Sequence, residues 1–281
     1  MPENHFKLAI CNELFEAWNT NNNFDFPRVF EYVKKSGYDG VEIAPFTIET
    51  NAYQIGSTRR TEIVHLAEQF DLKITGLHWL LAKTEGYYLT SPKPEVRQKT
   101  VDYFCELIQL CADLGGEVMV LGSPKQRNLL PGVTKDQAFG YAAEVLKILL
   151  PMLEKNGVRI ALEPLAPSET DFLVNAEEGV RLIEMVKEPK LVSLHLDCKA
   201  MNAEEKPIPD VIRANKKYLT YFHLNDPNLR GPGFGKLEFK PILQTLLDID
   251  YRGWLSVEVF DYTPGIEVLT EQSIQYIRQI M

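Results

Sequence analysis

Short runs in which apolar and polar residues alternate recur along the chain, separated by longer stretches whose apolar residues return every three or four positions. The first pattern is that of strands with two unlike faces, the second that of amphipathic helices. Alternation predicts strands over 7–12 (KLAICN), 40–44 (GVEIA), 74–79 (ITGLHW), 117–122 (EVMVLG), 159–164 (RIALEP), 192–197 (VSLHLD), 221–226 (YFHLND) and 254–259 (WLSVEV). Helical spacing runs over 27–37, 61–71, 94–115, 134–157 and 175–186, and three of these stretches close on Gly37, Gly115 and Gly157, residues that accept a left-handed helix end without steric cost. No linker or low-complexity segment breaks the rhythm, so 281 residues read as one domain spanning 1–281. Eight strand–helix units in that length predict an α/β fold, a single (β/α)8 barrel. A doubly wound sheet is the alternative, but CNELFEAWN after the first strand lacks the glycine fingerprint that fold carries.

In a barrel, alternate strand residues face the lumen and the helix layer. In VSLHLD the outward set is Val192, Leu194 and Leu196 and the inward set Ser193, His195 and Asp197. The same parity turns Glu163 inward in RIALEP, Tyr221, His223 and Asn225 in YFHLND, and Ser256 and Glu258 in WLSVEV. Four successive strands thus each send an acid or an imidazole inward near the carboxyl end, where barrel enzymes place their chemistry.

Composition narrows the partners. A net charge of -9 repels polyanions and speaks against nucleic acid. No stretch is apolar long enough to cross a bilayer, and MPENHFKLAI does not start as a secretory signal does, which predicts a cytoplasmic protein with no membrane partner. Cys11, Cys105, Cys111 and Cys198 show no paired spacing and read as reduced thiols.

Glu163, Asp197, His223 and Glu258 form a ring of three carboxylates and one imidazole. Such carboxylates cannot all stay ionised in a partly buried pocket without a compensating cation. One divalent metal ion answers that need, and a mostly oxygen donor set with one nitrogen suits Mn²⁺, Mg²⁺ or Co²⁺, with Zn²⁺ allowed. The remaining coordination positions suit the vicinal carbonyl and hydroxyl of a sugar. Taken singly, each acid is more often an ion-paired structural residue and each histidine a core residue; four at matching heights outweigh that reading.

At these residues the chain resembles the xylose isomerase-like barrels, in particular the sugar phosphate isomerase/epimerase branch with its ketose 3-epimerases, hydroxypyruvate isomerase and inositol-catabolism enzymes. The motifs are ALEPL (161–165), LHLD (194–197), FHLND (222–226) with GPGFGKLEF (231–239), and WLSVEVF (254–260), and the likeness spans essentially the whole chain. It implies a single metal held by Glu163, Asp197, His223 and Glu258, with Glu163 and Glu258 also exchanging a proton with opposite faces of a ketose through an enediolate. It implies a substrate contact at Glu169. Two departures stand out: Ala200 replaces the substrate histidine expected three residues after Asp197, and Leu229 falls where a substrate arginine is expected, with Arg230 beside it. DNA-repair endonucleases of the same barrel need more histidines than His5, His65, His78, His195 and His223 supply.

Further substrate contacts are expected from His78, Glu42, Trp79, Lys199 and Arg230, with Glu42 alternatively supporting a ligand. Trp18, Trp79, Tyr87 and Tyr88 are candidates for an apolar wall, with packing as the alternative. His195, one inward step deeper than Asp197, reads as a core or supporting residue, and GPGFG reads as a turn rather than a phosphate cradle. The expected function is a metal-dependent sugar isomerase or epimerase acting on a small sugar or sugar derivative; a dehydratase or lyase sharing the enolate step and a non-catalytic sugar-binding barrel are the alternatives. A homo-oligomer is left open.

Overall fold

The computed structural model describes residues 6–20 and 23–281. Eight strands, β1 (Lys7–Cys11), β2 (Gly40–Ile43), β3 (Lys73–Leu77), β4 (Val118–Leu121), β5 (Arg159–Leu162), β6 (Val192–Asp197), β7 (Leu219–Leu224) and β8 (Trp254–Val257), pair in parallel and in sequence order. β8 pairs back onto β1, closing the (β/α)8 barrel that the alternation predicts. The helices are α1 (Phe26–Ser36), α2 (Ser57–Gln69), α3 (Pro94–Asp113), α4 (Lys135–Asn156), α5 (Ala176–Val186), α6 (Cys198–Met201), α7 (Ile208–Asn215), α8 (Phe239–Asp248) and α9 (Ile266–Ile280). None among the described residues is long and apolar enough to cross a membrane.

Local chemistry explains the boundaries. Asp25, Thr134 and Asn175 accept backbone N–H groups at the starts of α1, α4 and α5, and Thr134 forms a reciprocal capping box with Gln137, a device worth about 1 kcal/mol. Gly37 and Gly157 close α1 and α4 in the left-handed region, at φ 100° and 65°. Helix α2 starts four residues ahead of the periodic stretch at 61, because its first turn, STRR, is polar and carries no apolar signal. α7, α8 and α9 escaped the periodicity reading; their first turns hold proline or follow glycine, which reads locally as loop.

The parity assignments separate two apolar regions. Val192, Leu194, Leu196, Ile160, Leu162, Phe222, Leu224, Leu255 and Val257 join the large core between strands and helices. Inside the barrel a small cluster of Val118, Val120, Ala161 and Tyr221, with Trp254 against it, plugs the lumen. Polar inward residues share the lumen with this plug. The register sets Asp197 beside His223 and His223 beside Ser256, so the ends of β6, β7 and β8 come level. Glu163 and Glu258 lie one residue past β5 and β8, yet their N–H groups still bond across to Leu121 and Leu224 at 3.2 and 3.3 Å, holding both acids in strand geometry.

Candidate active site

Glu163, Asp197, His223 and Glu258 are all buried at this end of the barrel, none more than 7% exposed. His223 is the hub. Its Nδ1 faces Glu258 at 3.1 Å and Glu163 at 3.9 Å, while Nε2 is hydrogen-bonded to Glu42 at 3.0 Å. Asp197 caps α6 by accepting the Ala200 N–H at 2.7 Å on Oδ1, and Asn225 donates to its Oδ2. Each carboxylate oxygen has two lone pairs, so these bonds fix Asp197 without exhausting it.

Electrostatics mark the group as short of positive charge. Burial, then the nearby Glu258, pushes Glu163 up to about 8 and Asp197 up to about 6. Glu258 itself is held low, because the His223 imidazole outweighs its burial. His223 in turn is raised well above the usual imidazole range: burial opposes its charge, but Glu42 and Glu258 prevail. Crowded carboxylates that must take up protons when no cation is near are the donor set a divalent ion satisfies. Donor atoms of Glu163, His195, Asp197 and His223 come within 4.8 Å of one another. His195, which the sequence reading set below the site, therefore stands close to it: Nε2 is 3.6 Å from Glu163, neither ring nitrogen has a hydrogen-bond partner, and burial with the charge of His223 keeps it neutral.

Two features shape the seat of Glu163. A Cβ on Gly122 would lie 1.6 Å from Glu163 Oε2, so only glycine leaves room for that carboxylate. Arg127, fully buried after β4, donates to the carbonyls of Leu121 and Glu163, at 3.1 and 2.7 Å, and so ties the ends of β4 and β5 together. Burial brings its guanidinium down to about 10. Neither residue carries a signal in the sequence: Gly122 closes the strand pattern EVMVLG, and Arg127 follows in a segment with no periodicity.

Above the acids opens a cleft of about 40 Å³ lined by His78, Trp79, Glu163, Glu169, Lys199 and Glu258, among others. Lys199 Nζ bonds both oxygens of Glu169, at 2.7 and 2.8 Å, and lies over the Phe260 ring at 4.9 Å. Trp79 adopts the left-handed backbone region at φ 52°, uncommon for a bulky residue.

The remaining candidates divide between those the structure places as expected and those it moves. Glu42 is fully buried behind His223, where it also accepts from Tyr221, so it holds the imidazole rather than touching the cleft. Arg230 does not line the cleft; its guanidinium is drawn to Asp261 at 2.9 Å and Thr263 at 3.1 Å. His78 lines the cleft, but its Nε2 is committed to Glu13 at 2.7 Å. Glu13 sits in the short helical turn after β1, where a lone acid gives no sign of burial. Trp18 packs on Phe15 and Tyr32, Tyr87 stacks on Tyr103, and Tyr88 donates to the Asn128 carbonyl, so among the aromatics expected at the wall Trp79 is the one that lines it. GPGFG wraps Asp226, which accepts the Leu237 and Asn228 N–H groups, and is a turn. The four cysteines are free thiols. His65 lies on α2, and His5 lies outside the described residues.

Residues 30–280 match the family model of the xylose isomerase-like TIM barrel, and the chain belongs to that family. It is similar to D-psicose 3-epimerase of Ruminiclostridium cellulolyticum, 26% identical over 88% of this chain and 82% of the relative, and to fructoselysine 3-epimerase of Shigella flexneri, 22% identical over 90% and 92%. The crystal structure of 3-keto-D-glucoside 4-epimerase from E. coli superposes with a TM-score of 0.81 at 20% identity, covering 98% of this chain and 100% of that one. These relatives bear out an enzyme of the isomerase and epimerase class.

Proposed function

We propose that the protein is a divalent-metal-dependent epimerase of a ketose or keto-sugar derivative, moving the proton on the carbon next to the carbonyl. The observation that carries this reading is the pair of buried glutamates, Glu163 and Glu258, at the floor of a cleft with Asp197 and His223 between them in the strand order. The names of the relatives, epimerases of bare and substituted sugars, support it.

Glu163, Asp197, His223 through Nδ1, and Glu258 would hold the ion, and Mn²⁺, Mg²⁺ or Co²⁺ suits this donor set better than a thiolate-seeking metal. The ion would supply a Lewis acid for the negative charge that develops on the carbonyl oxygen. The protein's own groups do the rest. One glutamate takes the proton from carbon, and the other returns a proton from the opposite face, which inverts the centre. Lys199 and Glu169, locked as a pair against Phe260, contact substrate hydroxyls, with Lys199 standing in for the histidine that Ala200 replaces. His78 and Trp79 close the other wall, and Leu165 and Phe260 help exclude water from the reacting carbon.

Purified protein should retain about one divalent ion per chain. After incubation in deuterated water it should carry deuterium into a ketose at the carbon next to the carbonyl, with the epimer as product. Loss of water or of a substituent from the sugar would point instead to a lyase, and absence of exchange with every free, substituted and phosphorylated ketose in a panel would overturn the reading.

A further inference from the structure

The cleft does not end at the acids. Trp79 and Pro124 line it and also line a second, half-open chamber of about 410 Å³, whose other walls include Glu13, Phe46, Ala82, Lys83 and Tyr262. Ligand pockets run from about 300 to 1,000 Å³. The inner cleft, about 40 Å³, admits only the reacting end of a sugar, and the adjoining chamber supplies the room for what extends beyond it.

The boundary between the two spaces holds unmet hydrogen-bonding capacity. Glu13 is 6% exposed, and while its Oε2 is bonded to His78, its Oε1 has no partner. The buried Nε1 of Trp79 has no acceptor. One orphaned acceptor and one orphaned donor, both on residues that line the chamber, are what a hydroxyl-bearing ligand satisfies, since each hydroxyl both donates and accepts. Trp79 and Tyr262 border this space as aromatics of the kind that pack on the C–H side of a pyranose, and Tyr262 is 42% exposed.

The charges disfavour a phosphate. Lys83 is neutralised by Glu16 at 2.9 Å and rests on the Phe46 ring at 3.9 Å. Lys125 is exposed, and Glu13 and Glu16 present carboxylates to the same chamber. Lysines and glutamates balance two against two, which suits a neutral occupant.

We infer that the outer chamber is a subsite for a neutral, hydroxyl-bearing substituent carried by the reacting keto-sugar, such as a second glycosyl unit. This rests on the epimerase reading above and names its substrate class: a keto-glycoside or keto-disaccharide rather than a bare or phosphorylated ketose.

The test gives the Mn²⁺-loaded protein D-fructose, fructose 6-phosphate and keto-disaccharides carrying a hexose on O4 or O6 of fructose, with deuterium exchange and calorimetric binding read for each. The better disaccharide should exceed fructose by about tenfold or more in kcat/KM for exchange and in affinity, in line with satisfying the orphaned groups. Ala82→Trp, which fills the chamber, should bring the two sugars to parity, and Tyr262→Ala should shrink the advantage. Equal handling of fructose and the disaccharides by the unaltered protein, or a preference for fructose 6-phosphate, overturns the proposal. If no sugar exchanges deuterium, the epimerase reading fails by itself; the binding data then decide the chamber, supported by a disaccharide preference that Ala82→Trp removes and overturned by equal affinities.

Discussion

At the carboxyl ends of β5 to β8 stand Glu163, Asp197, His223 and Glu258, with His223 Nδ1 at 3.1 Å from Glu258 and 3.9 Å from Glu163, whereas β1 to β3 and their loops supply Cys11, Glu13, Glu42 and His78, which hold one another and the His223 ring in place. Glu42 illustrates the division. Its Oε2 meets His223 Nε2 at 3.0 Å, which leaves Nδ1 turned toward Glu258 and Glu163. One half of the barrel carries the groups proposed to ligate and react, and the other packs behind them; a carboxylate behind a histidine of this kind fixes both ring orientation and tautomer.

The comparison breaks most sharply at the donor half. Asp197→Asn should lose the bound ion, and Glu258→Gln should lower kcat for deuterium exchange by about 10² to 10⁴-fold with the fold retained by circular dichroism. Wild-type metal content and rate in both variants would remove these residues from their roles. On the supporting half, Glu42→Gln should weaken metal affinity by about 10 to 100-fold while the barrel still folds, as titration of the metal-free protein would report. An unchanged affinity would mean that His223 needs no partner behind it.

pH sharpens the same contrast. In the metal-free protein Glu163 lies at about 8 and Asp197 at about 6, both raised by burial and by Glu258. Folded values above the unfolded carboxylate range mean that proton uptake stabilises the metal-free fold at low pH, and that this contribution is lost as pH rises through about 6 and then about 8. An ion replaces those protons, so the Tm gain on adding Mn²⁺ should be larger at about pH 8.5 than at about pH 5. An equal gain at both would contradict the charge assignment. The smallest effect is expected at Arg230→Ala: its pair with Asp261 is exposed to solvent, so the melting temperature should hardly move. Its kcat/KM should stay near that of the unaltered enzyme, and a large fall would return Arg230 to the substrate.

All eight strands were legible because alternation is a local signal tied to burial on one face, and the inward side chains of β5 to β8 followed from it. Helices α7 to α9 were not, since their first turns hold proline or follow glycine and resemble loops until packing decides. The metal-ligand candidates were legible as inward acids near strand ends. Glu13 and Arg127 were not, because a charged residue in a loop gives no sign of being buried; Glu13 is enclosed through His78, whose place depends on the far side of a turn, and Arg127 through two carbonyls of neighbouring strands.

By itself, then, the order of residues determined which side chains each strand turns inward, and with that the barrel and its ring of acids, because side-chain direction in a strand is fixed within two residues. Only the tertiary structure decided what those side chains meet. Glu42 faces His223 and not the cleft, Arg230 goes to Asp261, and Trp79 stands between two chambers, since these are encounters between segments distant in sequence and depend on closure of the barrel rather than on any local pattern.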